Sequence, residues 1–317
     1  MILGGDLGGT KTLLALAEHV AGEIRIVRQQ RFPSADYPTF EALLGEFLVD
    51  RPPIDSACFG VAGPTDGHSA KLTYLPWRLD AADLGRRFAI GRVALLNDFA
   101  AAAHGLALID AREIVTLHPG SPVDRAPRVI LGAGTGLGVA GLVSQDGGYR
   151  VIPGEGGHFG FSPQTPEQGE LWRWLLDRNG RVTTEDIVSG PGLARIYTFL
   201  GGRPRPEESA LGGPQPEEIG NAALAGSDPL AQQALRLWLE CYGAFAGDLA
   251  LHWLARGGVY LAGGIAAKLM PHADNAPFIA AFLAKREHGE LARSMPLRLL
   301  TAEDLGLRGT LACAAGQ

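Results

Sequence analysis

Apolar residues in the N-terminal third of the chain fall in short blocks separated by glycine-rich turns. Blocks 2–7, 12–18 and 23–30 read as three strands joined by tight turns, and 39–50 carries a helical pattern. Block 56–61 reads as a buried strand running into Ala62-Gly63-Pro64. Residues 81–88 look helical. Block 93–96 is short and wholly apolar, and Asn97-Asp98 after it offers a cap for an alanine-rich helix at 99–106.

The pattern then starts again. Strand 128–131 leads into Gly132-Ala-Gly-Thr-Gly-Leu-Gly138 and strand 139–143, much as Ile2-Leu3 leads into Gly-Gly-Asp-Leu-Gly-Gly-Thr and 13–17. Each is an apolar strand, a glycine turn holding a threonine, and a second apolar strand. This is a weak internal repeat that opens each half of the chain. Helices follow at 167–178, 190–200, 216–224 and 229–254, then a strand at 259–261 and a helix opening at Ala262-Gly-Gly-Ile265. A late strand at 297–300 precedes a C-terminal helix at 305–314. The alternation predicts an α/β fold. The Pro/Gly-rich segment 200–216 predicts a mobile surface loop.

Length and composition narrow the class. The 317 residues suffice for two α/β lobes, and 46% apolar against 20% charged residues calls for packed cores rather than disorder. A net charge of −6 and the lack of a Lys/Arg cluster argue against nucleic acid as a partner. No apolar run is long enough to span a membrane. The opening Met-Ile-Leu-Gly-Gly-Asp has no basic segment before an apolar one, so no signal peptide is expected and a cytoplasmic location is. Cys58, Cys241 and Cys313 lie far apart without a CxxC pattern and read as reduced thiols.

Glycine is the outlier, with 44 residues clustered at 4–9, 132–138, 154–160 and 263–264, directly after apolar runs. Such glycines are expected to supply positive φ or to let a ligand approach the backbone. In the turn Asp6-Leu7-Gly8-Gly9-Thr10-Lys11-Thr12, backbone amides can donate to a phosphate and the hydroxyls of Thr10 and Thr12 can add to them. Asp6, at the strand end, can hold Mg²⁺ through water. A plain glycine hairpin with an Asp capping its turn reads equally well. The stretch is not a Walker A loop, which ends in Gly-Lys-Ser/Thr, and from Gly132 the third glycine of a dinucleotide fingerprint is replaced by Leu137. Two glycine hairpins, each opening half of the chain, can instead clamp the phosphates of one ATP between two lobes. That is the plan of the actin-like ATPases, with Gly263 and Gly264 a third contact near adenosine.

A hexose presents a ring of hydroxyls, so its site needs several fixed acceptors and mixed donor-acceptors. Asn97, Asp98, Glu155, His158 and Glu185 form such an inventory, although spacing alone does not bring them together. The plainer readings are a helix cap for Asn97-Asp98 and a polar loop histidine for His158.

Six motifs in order across nearly the whole chain resemble those of the bacterial-type glucokinases. They are Asp6-Leu-Gly-Gly-Thr10, Leu96-Asn-Asp-Phe99, Gly132-Ala-Gly-Thr-Gly136, Gly154-Glu-Gly-Gly-His158, Val188-Ser-Gly-Pro-Gly192 and Ala262-Gly-Gly-Ile265. The resemblance implies an α/β, two-lobed actin-like ATPase (ribonuclease H-like) fold with an active-site cleft between the lobes. The small lobe would cover 1–108, the large one 109–300, and the C-terminal helix within 301–317 would return to the small lobe. The implied activity is transfer of the γ-phosphate of ATP, with Mg²⁺, to the 6-hydroxyl of glucose at the entry to glycolysis, by a homodimer. Asp98 would be the catalytic base, and Asn97, Asp98, Glu155, His158 and Glu185 would hold the sugar. Gly5, Asp6, Leu7, Gly8, Gly9, Thr10, Gly132, Gly134, Thr135, Gly136, Gly263 and Gly264 would take ATP, with Asp6 on Mg²⁺ through water.

Three departures from the family pattern stand out. Tyr74 takes the place of an Asn that often precedes an apolar segment and Trp; Phe159 and Gly160 follow His158 where an acid is usual; and the Cys cluster of related zinc-containing sugar kinases is missing. Two other functions stay open on sequence: a kinase for mannose, fructose or an amino sugar, and a non-catalytic sugar-binding regulator of the same fold. A chaperone-like ATPase is disfavoured because no peptide-binding domain is visible.

Overall fold

Strands form where the apolar blocks stand. The computed structural model describes residues 1–50, 52–73, 75–202 and 215–316. The chain begins with β1 (Ile2–Leu7), β2 (Lys11–Val20), β3 (Glu23–Pro33), α1 (Phe40–Phe47), β4 (Ser56–Val61), β5 (Ser69–Lys71), β6 (Arg78–Asp80), α2 (Ala81–Phe88), β7 (Arg92–Asn97) and α3 (Asp98–Gly105). It continues with β8 (Ile114–His118), β9 (Arg128–Ala133), β10 (Leu137–Gln145), β11 (Gly148–Gly154), α4 (Pro166–Asn179), α5 (Gly190–Leu200), α6 (Pro216–Ala225) and α7 (Pro229–Trp253). It closes with β12 (Gly258–Ala262), α8 (Gly264–Leu269), α9 (Ala276–Leu283), α10 (Gly289–Ser294), β13 (Leu297–Leu300) and α11 (Leu305–Ala315). These elements divide into two units, Met1–Asp110 with Asp304–Gln317, and Ala111–Glu303.

The first unit holds a sheet ordered β3-β2-β1-β4-β7. β1, β2 and β3 form an antiparallel meander, while β4 and β7 run parallel to β1. The second unit holds β11-β10-β9-β12-β13, with the same directions, and adds β8 antiparallel to β13 at the edge. The paired hairpins of the sequence thus belong to a repeat of the whole sheet. The central parallel strands are buried along their full length, as β4 (SACFGV) and β12 (GVYLA) show. Strands covered on both faces lose the apolar/polar alternation, which is why they read as unbroken apolar blocks.

Small residues set the depth of α11 in the first unit. A Cβ on Gly309 would overlap the Ala101 carbonyl, and one on Gly105 would overlap that of Leu305, so α11 and α3 lie against each other through bare backbone. Gly4 and Gly60 let α11 approach the sheet in the same way, since Cβ atoms there would meet Leu311 and Thr310. Of the two uses expected of the clustered glycines, positive φ holds in the four clusters only at Gly263, at 92°; at Gly4, Gly5, Gly136, Gly156 and Gly157 the missing side chain makes room for a neighbour.

Several elements were not expected: β5, β6, β8, β11, α9 and α10. β8 and β11 are partly exposed edge strands with mixed polar and apolar positions, which hides their period. Positions 203–214 of the expected loop and Tyr74 lie outside the described residues. Among the described residues no helix is long and apolar enough to cross a membrane.

Candidate active site

In the first unit the candidate groups collect at the C-terminal ends of the parallel strands, where α/β sheets usually present ligand groups. Asp6 of β1 is in register with Gly60 of β4, which is in register with Leu96 of β7; Asn97 follows in the next row, beside Val61. Two strand spacings separate the backbones of Asp6 and Leu96, about 10 Å. Asn97 is the N-cap of α3: its Oδ1 accepts from the amides of Phe99 (2.9 Å) and Ala100 (3.3 Å). The cap uses the oxygen and leaves the amide nitrogen as the donor of this side chain. Asp98 Oδ1 accepts from Phe99 N at 2.8 Å, which places a carboxylate in the first turn of α3, where negative charge is favoured.

Asp6 lies close beneath the start of α11, where a Cβ on Gly306 would fall 3.0 Å from its Oδ2. Burial pushes the Asp6 carboxyl above the ordinary carboxylate value, opposed by the charge of Lys11. A desolvated carboxylate of this kind gains from a nearby cation.

The hairpin turn itself is 8–10. Gly8 N donates to Lys11 O at 3.0 Å, so that amide closes the hairpin. Gly5, Asp6 and Leu7 lie in the ladder between β2 and β4, and Leu7 has its side chain in the core. The hydroxyl of Thr12 is also spoken for. It is fully buried and shares a 3.0 Å hydrogen bond with Ser34, which in turn donates to Gly8 O at 2.8 Å. Thr12 therefore braces the turn from behind rather than facing a phosphate, while Thr10 is exposed.

The second unit brings most of its candidates into one neighbourhood. Gly132 is in register with Gly138 and Ala262 inside the sheet, so the turn of this hairpin is 134–136, with Gly134 N donating to Gly136 O at 2.8 Å. Thr135 at its tip is exposed. Gly263, the residue with positive φ, packs on Ala133 so closely that a Cβ would overlap the backbone there, and Gly264 starts α8 beside it. The motif 188–192 forms the start of α5. Ser189 caps it by accepting from Gly192 N at 3.0 Å, and Gly190 N donates to Gly134 O at 2.8 Å. Sequence reading flagged that motif without a role; the structure shows it buttressing the 134–136 turn.

Glu185 reaches the same turn. Its Oε2 accepts from Leu137 N at 2.7 Å, and a Cβ on Gly136 would lie 2.6 Å from that oxygen. Gly136 is thus a seat for the carboxylate. The Glu155–His158 segment is fixed beside it: Gly156–His158 is one 3₁₀ turn, Glu185 N donates to Gly157 O (2.9 Å), and Thr184 N donates to Phe159 O (2.8 Å). The Arg181 guanidinium adds a bond to the His158 carbonyl at 3.1 Å. The Glu155 and His158 side chains themselves are exposed. Asn97 and Asp98 belong to the first unit, and Glu155, His158 and Glu185 to the second.

Comparison with known proteins now adds to this geometry. The family model described as Glucokinase matches residues 3–317. A glucokinase from a Nostoc species is 38% identical over 340 aligned positions, covering 99% of both chains. A glucokinase from Klebsiella pneumoniae is 33% identical, covering 96% of this chain and 94% of its own. Among solved structures, a glucokinase from an Antarctic psychrotroph superposes with a TM-score of 0.86 at 28% identity, covering 100% of this chain and 99% of its own. The chain belongs to the glucokinase family. Its fold is the two-lobed actin-like ATPase fold of those enzymes, as the sequence motifs implied.

Proposed function

We propose that this protein is an ATP-dependent glucokinase that transfers the γ-phosphate of ATP to the 6-hydroxyl of glucose, giving glucose 6-phosphate at the entry to glycolysis. Membership of the glucokinase family over residues 3–317 carries the reading. The joining of Glu185 to the 134–136 turn supports it locally, because it sets a sugar-type acceptor beside a phosphate-type turn. A family neighbour, the ROK family glucokinase from Streptomyces griseus, was solved with glucose and AMPPNP; at 19% identity it speaks for fold alone.

In this reading the two units act as a small and a large lobe. ATP takes the turns at 8–10 and 134–136 together with Gly263 and Gly264. Glucose takes Asn97, Asp98, Glu155, His158 and Glu185. Asp98 accepts the proton of the attacking hydroxyl. Phosphoryl transfer asks mainly for positioning and charge stabilisation, so a held carboxylate at a helix start suits the base role. Asn97 offers its amide nitrogen to a sugar oxygen while its cap fixes the side chain. Asp6 would hold magnesium through water, and its desolvated carboxylate fits that task; the ion, when bound, would neutralise phosphate charge. We further propose a cytoplasmic homodimer. The testing experiment is ADP release with MgATP and a panel of glucose, mannose, fructose and glucosamine. The highest kcat/KM is expected for glucose, and a higher value for another sugar would reassign the substrate.

A further inference from the structure

The carbonyl of Gly8, the first residue of the 8–10 turn, is held from behind: it accepts from Ser34 Oγ at 2.8 Å. Ser34 opens the short 3₁₀ turn Ser34–Asp36 that follows β3, and it is fully buried. Its amide donates to Thr10 O at 3.0 Å, one step past the pairing of Lys11 with Pro33 that ends the β2–β3 ladder. One residue thus grips both ends of the turn, Gly8 by its side chain and Thr10 by its backbone. The 3.0 Å contact between the Ser34 and Thr12 hydroxyls has a definite direction. A serine hydroxyl has one proton and a carbonyl only accepts, so the Ser34 proton goes to Gly8 O and Thr12 is the donor to Ser34.

The bond from Ser34 also fixes the next amide. A trans peptide is planar, with its C=O and N–H pointing opposite ways. The Gly8 carbonyl points toward the buried serine, so the Gly9 N–H points away from it. Gly9 is part-exposed, and among the described residues its amide has no acceptor. The second unit repeats this arrangement by other means. Gly134, the counterpart of Gly8 in the repeated hairpin, has its carbonyl held at 2.8 Å by the amide of the buried Gly190. The N–H of the exposed Thr135 is turned the other way, and it too has no acceptor among the described residues.

We propose that Ser34 is a positioning residue for ATP: by holding the Gly8 carbonyl it aims the Gly9 amide at a phosphate. This rests on the ATP role proposed above for the 8–10 turn. Ser34 touches no substrate itself. It acts by preorganisation, since an amide already turned outward needs no reorientation when the phosphate arrives. The Gly8–Gly9 peptide has a glycine on each side and no Cβ to hinder its rotation. Without Ser34 that peptide can turn over and present its carbonyl oxygen, which repels a phosphate, in place of the N–H.

The test compares Ser34→Ala, Ser34→Cys and Thr12→Val with the parent. Affinity for Mg-AMPPNP is read by titration calorimetry, which needs no turnover, and KM is measured for MgATP and for glucose. Ser34→Ala should weaken Mg-AMPPNP and raise KM for MgATP by about tenfold, the factor roughly equivalent to one hydrogen bond, with KM for glucose unmoved. Ser34→Cys keeps a weak donor and should fall between alanine and the parent. Thr12→Val also removes a buried hydrogen bond but leaves Ser34 on Gly8. It should lower Tm as Ser34→Ala does, while nucleotide affinity falls far less. Ser34→Ala that binds Mg-AMPPNP as tightly as the parent overturns the positioning role. So does Ser34→Ala that loses glucose and nucleotide affinity alike, or Thr12→Val that loses as much nucleotide affinity as Ser34→Ala, since a general loosening of the turn would then explain the effect. A parent that binds no Mg-AMPPNP removes the ATP role of the turn and this proposal with it, so the two failures are told apart by the parent alone.

Discussion

Replacing Gly136 by alanine probes the junction of the 134–136 turn, proposed to take phosphate, and Glu185, proposed to hold the sugar. The added Cβ would lie 2.6 Å from Glu185 Oε2, well inside contact distance, and the atom that must yield is the tip of a flexible side chain. The fold should therefore tolerate the change, with Tm falling by no more than about 12 °C, at roughly 2–4 °C per kcal/mol in a unit of this size and about 1.5–3 kcal/mol for the bond that is lost. The carboxylate would leave its 2.7 Å bond from Leu137 N. Hydrogen bonds to charged groups contribute about 1.5–3 kcal/mol, and a sugar hydroxyl that relies on the same carboxylate stands to lose a similar amount. At 1.4 kcal/mol per tenfold, kcat/KM for glucose should fall by roughly ten- to a hundredfold. The assay varies glucose at saturating MgATP, then MgATP at saturating glucose. The control is Gly134→Ala, two residues away, where a Cβ meets nothing within 4 Å and φ is not positive. That variant should raise KM for MgATP and spare glucose. If Gly136→Ala keeps normal glucose kinetics, or weakens MgATP more than glucose, Glu185 is not the sugar ligand argued here.

Asp98→Asn keeps the shape and an oxygen for Phe99 N but cannot accept a proton, so single-turnover rates should fall by roughly two to four powers of ten. Asp6→Asn should stabilise the protein while removing activity. Burial raises the folded pKa of Asp6, so its charged form opposes folding as pH rises through that value, and the opposition is absent below about pH 3.8. Calorimetry should thus find a higher Tm than the parent at pH 7, with the gain vanishing in acid; a lower Tm at neutral pH would contradict it. Chelating magnesium with EDTA should abolish turnover and added Mg²⁺ restore it, and turnover in EDTA would contradict the metal role proposed for Asp6. A Cβ on Gly157 would overlap the Leu137 carbonyl, which is backbone and cannot swing away, so Gly157→Ala should lower Tm and glucose affinity together.

Some of this was legible in the sequence. The apolar blocks of β1, β4, β9 and β12 were plain because strands buried on both faces carry unbroken apolar runs. The paired glycine hairpins showed a repeat, but its extent stayed hidden, since β4 with β7 and β12 with β13 share direction and order rather than residues. The approach of Glu185 to Leu137 crosses 48 positions, and no local period encodes such a contact. Positive φ, one of the two uses expected of the clustered glycines, holds in those clusters only at Gly263, because composition does not separate a need for φ from a need for space; at Gly136 and Gly157 the need is space.

The central claim is that this protein phosphorylates glucose at its 6-hydroxyl. Its most direct test measures ADP and glucose 6-phosphate in the same reaction, the second through a dehydrogenase specific for glucose 6-phosphate. The account predicts one glucose 6-phosphate for each ADP, with both products lost together in Asp98→Asn. ADP released from MgATP and glucose without glucose 6-phosphate would contradict it.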